Sequence, residues 1–195
     1  PAEARAAAMQ DLLGEMLGDT YRNYEVSAWA RPGHQAQHNL NYWMFGDYLG
    51  IGAGAHGKLS FPDRIVRQAK YKHPRRYIET ALAGNACEID EVVQPTDLPF
   101  EFMLNALRLT EGVDTALFQD RTGLLPAVIR VKLRQAVERG LMVDDPARLQ
   151  PTPLGRAFLN DLLEIFLPED GGEGHRPEPA PRVSTVNWVD RPELD

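Results

Sequence analysis

A single cysteine, Cys87, stands among 195 residues. That excludes an internal disulfide, and it excludes any cluster held by several thiolates of this chain. No apolar run approaches the ~18 residues that a membrane helix needs. No signal-peptide pattern opens the sequence, so the cytoplasm is the expected compartment. Positive charge is not in excess either: the net charge of −7 leaves no broad electrostatic footprint for nucleic acid. The chain also lacks an initiating methionine. It starts at Pro1 directly on helical sequence and reads as a piece of something longer.

What is present belongs to a soluble globular protein, with 43% hydrophobic and 25% charged residues. The opening EARAAAMQDLLGEML places Met9, Leu12, Leu13, Met16 and Leu17 on one helical stripe that Gly18-Asp19 ends. NYEVSAWA alternates as a strand would, with Glu25 and Ser27 on the face opposite Tyr24 and Val26. RPGHQAQ is a loop, and HNLNYW (residues 38–43) begins a helix. DYLGIGAGAHGKLSFP is too glycine-rich for a helix and reads as a strand approached closely by other backbone or by a ligand. HPRRYIETALAG is a short helix ended by Gly84, and ACEIDEVVQ is another strand.

From Pro95 the character changes. Asp97 is placed to cap a helix carrying Phe100, Met103, Leu104 and Leu107. LLPAVIRVKLRQAVERG has proline in its first turn and Gly140 beyond its end. Two short extended runs flank Asp144-Asp145-Pro146, and Thr152 caps a last helix that would bury Phe158, Leu162 and Ile165. Helices, hairpin, helix is a winged-helix-like order. Residues 168–195 hold seven acidic residues and three arginines amid proline and glycine, and read as a disordered tail in which Trp188 is an untethered aromatic.

Four stretches are candidates for chemistry. In a helix, His38 and Tyr42 share a face at i, i+4 with Asn39 and Trp43 beside them. An imidazole lone pair is a common axial ligand of haem iron, and flat rings stack on a macrocycle. The same six residues also fit a helix start with a capping asparagine and two core aromatics, and spacing alone favours that plainer reading. HQAQH spaces His34 and His38 as a zinc protease helix does, but Gln35 stands where the glutamate base belongs, and Arg31-Pro32-Gly33 makes the segment a loop. GAGAHG (residues 52–57) matches G-x-G-x-x-G by letter, yet LSFPDR does not follow as the helix a dinucleotide site requires. Gly52 and Gly54 still permit close approach to backbone, with His56 projecting alongside. The basic run of Arg64, Arg67, Lys70, Lys72, Arg75 and Arg76 suits carboxylates such as porphyrin propionates, or is an ordinary solvated surface.

Together, YEVSAWARPGHQAQHNLNYWMFGDYLGIGAGAHGKLS strongly resembles the HemW family of radical-SAM haem chaperones, relatives of the oxygen-independent coproporphyrinogen III dehydrogenase. Lys72-His73-Pro74 with Tyr77, and EFMLNALRL followed by RTG, carry the resemblance on to about Leu167. The resemblance implies an α/β chain, α+β overall. Residues 1–94 would be the last strands and helices of a partial (β/α) radical-SAM barrel, with Glu25 and Ser27 facing its mouth. Residues 95–167 would be a small winged-helix-like C-terminal domain, and 168–195 a disordered acidic tail. It implies haem as ligand, bound at His38, Asn39, Tyr42 and Trp43 with His38 on the iron, and an acceptor protein to receive it. S-adenosylmethionine and a 4Fe-4S cluster would belong to the full-length protein. The C-x-x-x-C-x-x-C ligands of that cluster are absent here, so radical chemistry is not expected of this chain, which is either a fragment or a truncated paralogue. Two alternatives stand beside the haem chaperone: the radical-SAM oxidative decarboxylase of porphyrin biosynthesis, and a winged-helix binding module using Arg130, Lys132, Arg134 and Arg139.

Overall fold

The computed structural model describes residues 2–168. The tail from residue 169 onward, Trp188 included, lies outside the described residues. Helix α1 (Ala2–Leu17) forms as its periodicity predicts, but Met9, Leu12, Leu13 and Met16 of its stripe stand exposed. No described helix is long and apolar enough to cross a membrane.

The stretch expected as one strand is a tight hairpin, β1 (Arg22–Glu25) and β2 (Ala28–Ala30), paired antiparallel. Side chains close its turn. Asn23 Nδ2 donates to the carbonyls of Glu25 (2.6 Å) and Ala28 (3.2 Å), and Ser27 donates its amide and hydroxyl to Glu25 Oε1. These local bonds offer the backbone a turn that alternation alone does not reveal. Glu25 is therefore sealed, 2% exposed, and does not face an open mouth.

Helix α2 (Gln37–Trp43) follows the expected loop. The glycine-rich stretch is extended only at its ends: Tyr48 bridges Lys58, and β3 (His56–Ser60) starts after a series of turns. β3, β4 (Ile65–Lys70) and β5 (Cys87–Val92) make an antiparallel sheet in that order, with α3 (Pro74–Leu82) joining β4 to β5. β4 was hidden by its charge. Arg67 and Lys70 mark it as a basic surface, whereas Ile65, Val66 and Ala69 are buried.

The remainder packs α4 (Leu98–Ala106), β6 (Val113–Asp114), α5 (Thr115–Thr122), α6 (Arg130–Glu138), β7 (Arg148–Leu149), α7 (Pro153–Ala157) and α8 (Leu159–Glu164). The helix expected to end before Gly140 divides into a 3₁₀ turn (Pro126–Ile129) and α6, and α5 is an element that periodicity did not suggest. The last expected helix breaks at Phe158 (φ −113°, ψ 46°), which turns that ring outward at 53% exposure; Leu162 and Ile165 are buried as anticipated. At the centre Phe102 meets Phe118 edge-on at 5.3 Å, and Phe45, from the turn after α2, meets Phe102 at 5.7 Å. One aromatic stack thus serves both halves of the chain.

Both expected caps sit at helix starts, but only Thr152 makes the bond, accepting from the Gly155 amide at 3.0 Å; Asp97 makes no side-chain cap. Thr152→Ala should therefore lower unfolding free energy by about 1 kcal/mol, and Asp97→Ala by clearly less. Equal losses in denaturant melts would contradict this account of the two caps.

Candidate functional site

Helix α2 has two distinct sides. His38 and Tyr42 are exposed, one turn apart, and among the described residues no hydrogen bond occupies the His38 ring nitrogens. Asn39 and Trp43 turn inward and are half-buried. Asn39 Nδ2 donates to Tyr24 Oη at 3.2 Å. The Trp43 ring packs on the core and lies under the Arg108 guanidinium, 4.2 Å from its centroid, while Arg108 pairs with buried Glu25 at 3.4 Å. Trp43 Nε1 is buried without a hydrogen-bond partner among the described residues, so packing and the cation–π contact hold this ring. Tyr42 rests on Tyr48, with ring centroids 4.1 Å apart.

Tyr48 leads into the glycine turns. Gly52 (φ +102°) donates its amide to Tyr77 Oη at 3.2 Å, and Gly54 (φ +70°) donates to the Tyr71 carbonyl at 2.9 Å. Both adopt backbone that favours glycine. A Cβ on Gly50 would lie 2.4 Å from the His56 carbonyl oxygen, so this glycine serves close backbone approach. His56 opens β3 opposite Ala69 and is half-buried. Leu49 and Ile51, in the same turn, are 72% and 87% exposed.

The basic run does not form one cationic face. Arg64 pairs with Asp63, Arg67 with buried Glu101, Arg75 with Glu79, and Arg76 lies over Tyr71. Lys70 Nζ donates to Cys87 Sγ at 3.0 Å. His34 sits in a turn before α2, so it does not share a helix with His38, and no cluster of three or more metal-binding side chains occurs among the described residues. Cys87 is the chain's one thiol, and the donor set for a 4Fe-4S cluster does not fit these residues. A pocket of about 240 Å³ lined by Met44, Leu109, Val113, Leu117 and Arg148 includes none of the expected site residues.

Sequence reasoning missed the group that anchors the end of α2. Lys58 is 1% exposed, and its ammonium donates to the Phe45 carbonyl, Asp47 Oδ1 and Ser60 Oγ, each at 3.0 Å. The signal was a lysine among glycines, which reads as solvated until its strand register is known. Burial pulls the Lys58 pKa down, an effect that Asp47 partly reverses. Burial also pushes Asp47 upward, but the Ser60 hydroxyl and amide together with Lys58 outweigh it and hold the carboxyl below its ordinary value.

A carboxyl depressed by folding contributes stability above its unfolded pKa of 3.8 and loses that contribution as pH falls through the folded value. The stability deficit of Asp47→Asn relative to the unaltered protein should thus be greatest near neutrality and shrink below about pH 4. A deficit independent of pH in urea melts would show that Asp47 acts without its charge.

Residues 93–158 match the HemN C-terminal domain. A protein named heme chaperone HemW from Escherichia coli (strain K12) is 49% identical over 150 residues, covering 76% of this chain and 39% of that protein. HemW from Haemophilus influenzae is 45% identical over 151 residues, covering 77% and 38%. The chain thus spans about two-fifths of the length of these relatives. Among solved structures, the E. coli coproporphyrinogen III oxidase HemN, described as a radical SAM enzyme, superposes with a TM-score of 0.57 over 81% of this chain and 39% of its own; at 18% identity the likeness is one of fold. The chain thus carries a HemN C-terminal domain, and about three quarters of its length is similar to part of the HemW proteins.

Proposed function

We propose that this chain is the haem-holding portion of a cytoplasmic haem chaperone, which binds haem on the outer face of α2 and passes it to an acceptor protein. One observation carries the reading: α2 presents an imidazole with unoccupied nitrogens beside a tyrosine ring on a solvent-facing surface, while its other side is fixed to the core. Haem is cargo here. His38 supplies the iron ligand, Tyr42 the adjacent aromatic surface, and Asn39 and Trp43 complete the site as the side that holds the helix in place.

The glycine turn is the neighbouring part of the proposed site. It departs from Tyr48, the residue on which Tyr42 stacks, and its exposed Leu49 and Ile51 offer apolar surface to a macrocycle. Gly52 and Gly54 shape that turn, and His56 closes it. In this reading residues 1–94 carry the haem face and residues 95–167 a winged-helix-like support. S-adenosylmethionine and the 4Fe-4S cluster belong to longer members of the family. The decarboxylase reading has only a likeness of fold behind it, and a nucleic-acid module has an acidic chain against it.

Titrating the 195-residue protein with haem should produce a Soret band, and His38→Ala should weaken the haem affinity it reports by more than the roughly tenfold that losing an outer hydrogen-bond partner of a metal ligand can bring. Tyr42→Ala should have a smaller effect. A titration unchanged by His38→Ala would end the assignment. Transfer itself is tested by mixing the loaded protein with apo haem proteins and following the band to the acceptor.

A further inference from the structure

Of the six residues HNLNYW, the haem reading leaves Asn41 without a task. Its side chain donates to the Asp47 carbonyl at 2.9 Å, and its own carbonyl accepts from the Gly46 amide at 2.7 Å. Gly46 presses so close that a Cβ there would fall 2.0 Å from Asn41 Oδ1. Asn41 thereby ties α2 to the turn of residues 44–47. Within that turn Phe45 holds φ +55°, a region that a bulky side chain rarely enters unless its surroundings over-determine it.

Lys58 supplies much of that determination. Its three ammonium donors match three acceptors, the Phe45 carbonyl, Asp47 Oδ1 and Ser60 Oγ, and Nζ also lies 4.2 Å from the Phe45 ring centroid. Ser60 returns two bonds to the Asp47 carboxylate, from its hydroxyl at 2.7 Å and its amide at 3.0 Å. The Lys58 backbone exchanges both bonds with Tyr48 at 2.9 Å, which sets the ring under Tyr42. One residue in the middle of β3 thus fixes both the end of α2 and the aromatic surface beside it. Its donors are spent on protein acceptors, so its task is alignment, not ligand contact. An ammonium buried this far costs desolvation that an apolar residue would not incur, and a single enforced arrangement is what such a group can give in return.

We propose that Lys58 is the positioning residue of the α2 site: through Asp47, the Phe45 carbonyl and Asn41 it locks the turn that closes the helix, so that His38 and Tyr42 are presented to haem in one orientation. The haem part of this proposal rests on the function proposed above; the locking of α2 does not.

The test pairs two readouts on the full 195-residue chain. Lys58→Met keeps most of the side-chain volume and removes the donors, and Asn41→Ala cuts the same chain of contacts at a half-exposed position. Amide hydrogen exchange at residues 40–46 should quicken about tenfold or more in Lys58→Met, the effect of losing one buried charge-assisted hydrogen bond, and by less in Asn41→Ala. Exchange in α6 should not change. Haem affinity should fall in step, and the Soret maximum at saturating haem should shift as the imidazole loses its set orientation. Unchanged exchange in α2 of folded Lys58→Met overturns the proposal. So does faster exchange with haem affinity and Soret maximum unaltered, since Lys58 would then be structural only. If Lys58→Met does not fold, Asn41→Ala decides by the same two readouts. If the unaltered protein takes up no haem, the functional reading fails by itself, and exchange in α2 still decides the lock.

Discussion

Phe45 enters the core beside Phe102 and Phe118 from a turn in which its own φ is +55°. That constraint organises the molecule. The ring joins Phe102 and Phe118 in an edge-to-face series, an arrangement that adds about 0.5–1.5 kcal/mol per pair beyond burial. The carbonyl of the same residue, left pointing into protein by the turn, needs a donor, and the Lys58 ammonium provides it. Because Lys58 sits in β3, the sheet and the end of α2 meet at that residue, and the Phe45 ring joins the junction to the C-terminal core. All three acceptors lie within residues 45–60, so Lys58 fixes the Phe45 turn, and the Phe45 ring carries that turn into the core against Phe102.

A second anchor acts at the other side of the helix. Arg108 follows α4, lies over the Trp43 ring, and pairs with Glu25 of the hairpin. Glu25 is 2% exposed, so its charge stands on Arg108 together with the amide and hydroxyl of Ser27. A carboxylate this deep would be costly if unpaired. Hairpin, α2 and α4 are joined through three side chains, and the contact on Trp43 is the one that reaches the HNLNYW helix. What remains of α2 is an outward strip, His38 and, resting on Tyr48, Tyr42.

The sequence made some of this legible and concealed the rest for identifiable reasons. α1, α3 and α4 declare themselves through periodicity and stop signals, and Gly84 has the positive φ that its position past α3 suggests. The i, i+4 pairing of His38 with Tyr42 is a matter of helix geometry alone, and it appears as expected. The hairpin at residues 22–30 was not legible, because side-chain bonds from Asn23 and Ser27 turn the chain where alternation predicts one continuous strand. β4 was masked since a strand with one buried edge and cations elsewhere reads as a charged surface. Phe158 was misplaced because a periodic run does not announce a break in its own helix. Lys58 was the hardest: its burial depends on the register that sets Tyr48 on one side of β3 and Arg67 on the other, which no local pattern reveals.

A protein that carries a ligand in order to release it faces opposed demands. The contact atoms must be reachable, which favours a surface helix, yet a surface helix of seven residues is too short to hold its own shape in water. The arrangement here separates the two tasks by face. Rigidity comes from the inward residues, Asn39, Trp43 and the Phe45 turn, whose partners are buried or half-buried. Accessibility comes from the outward ones, His38 with no hydrogen bond to its ring and Tyr42 in contact with Tyr48 alongside. On the proposed reading, loading and unloading haem then changes contacts on the outer strip only, and the core that orients it is the same in both states.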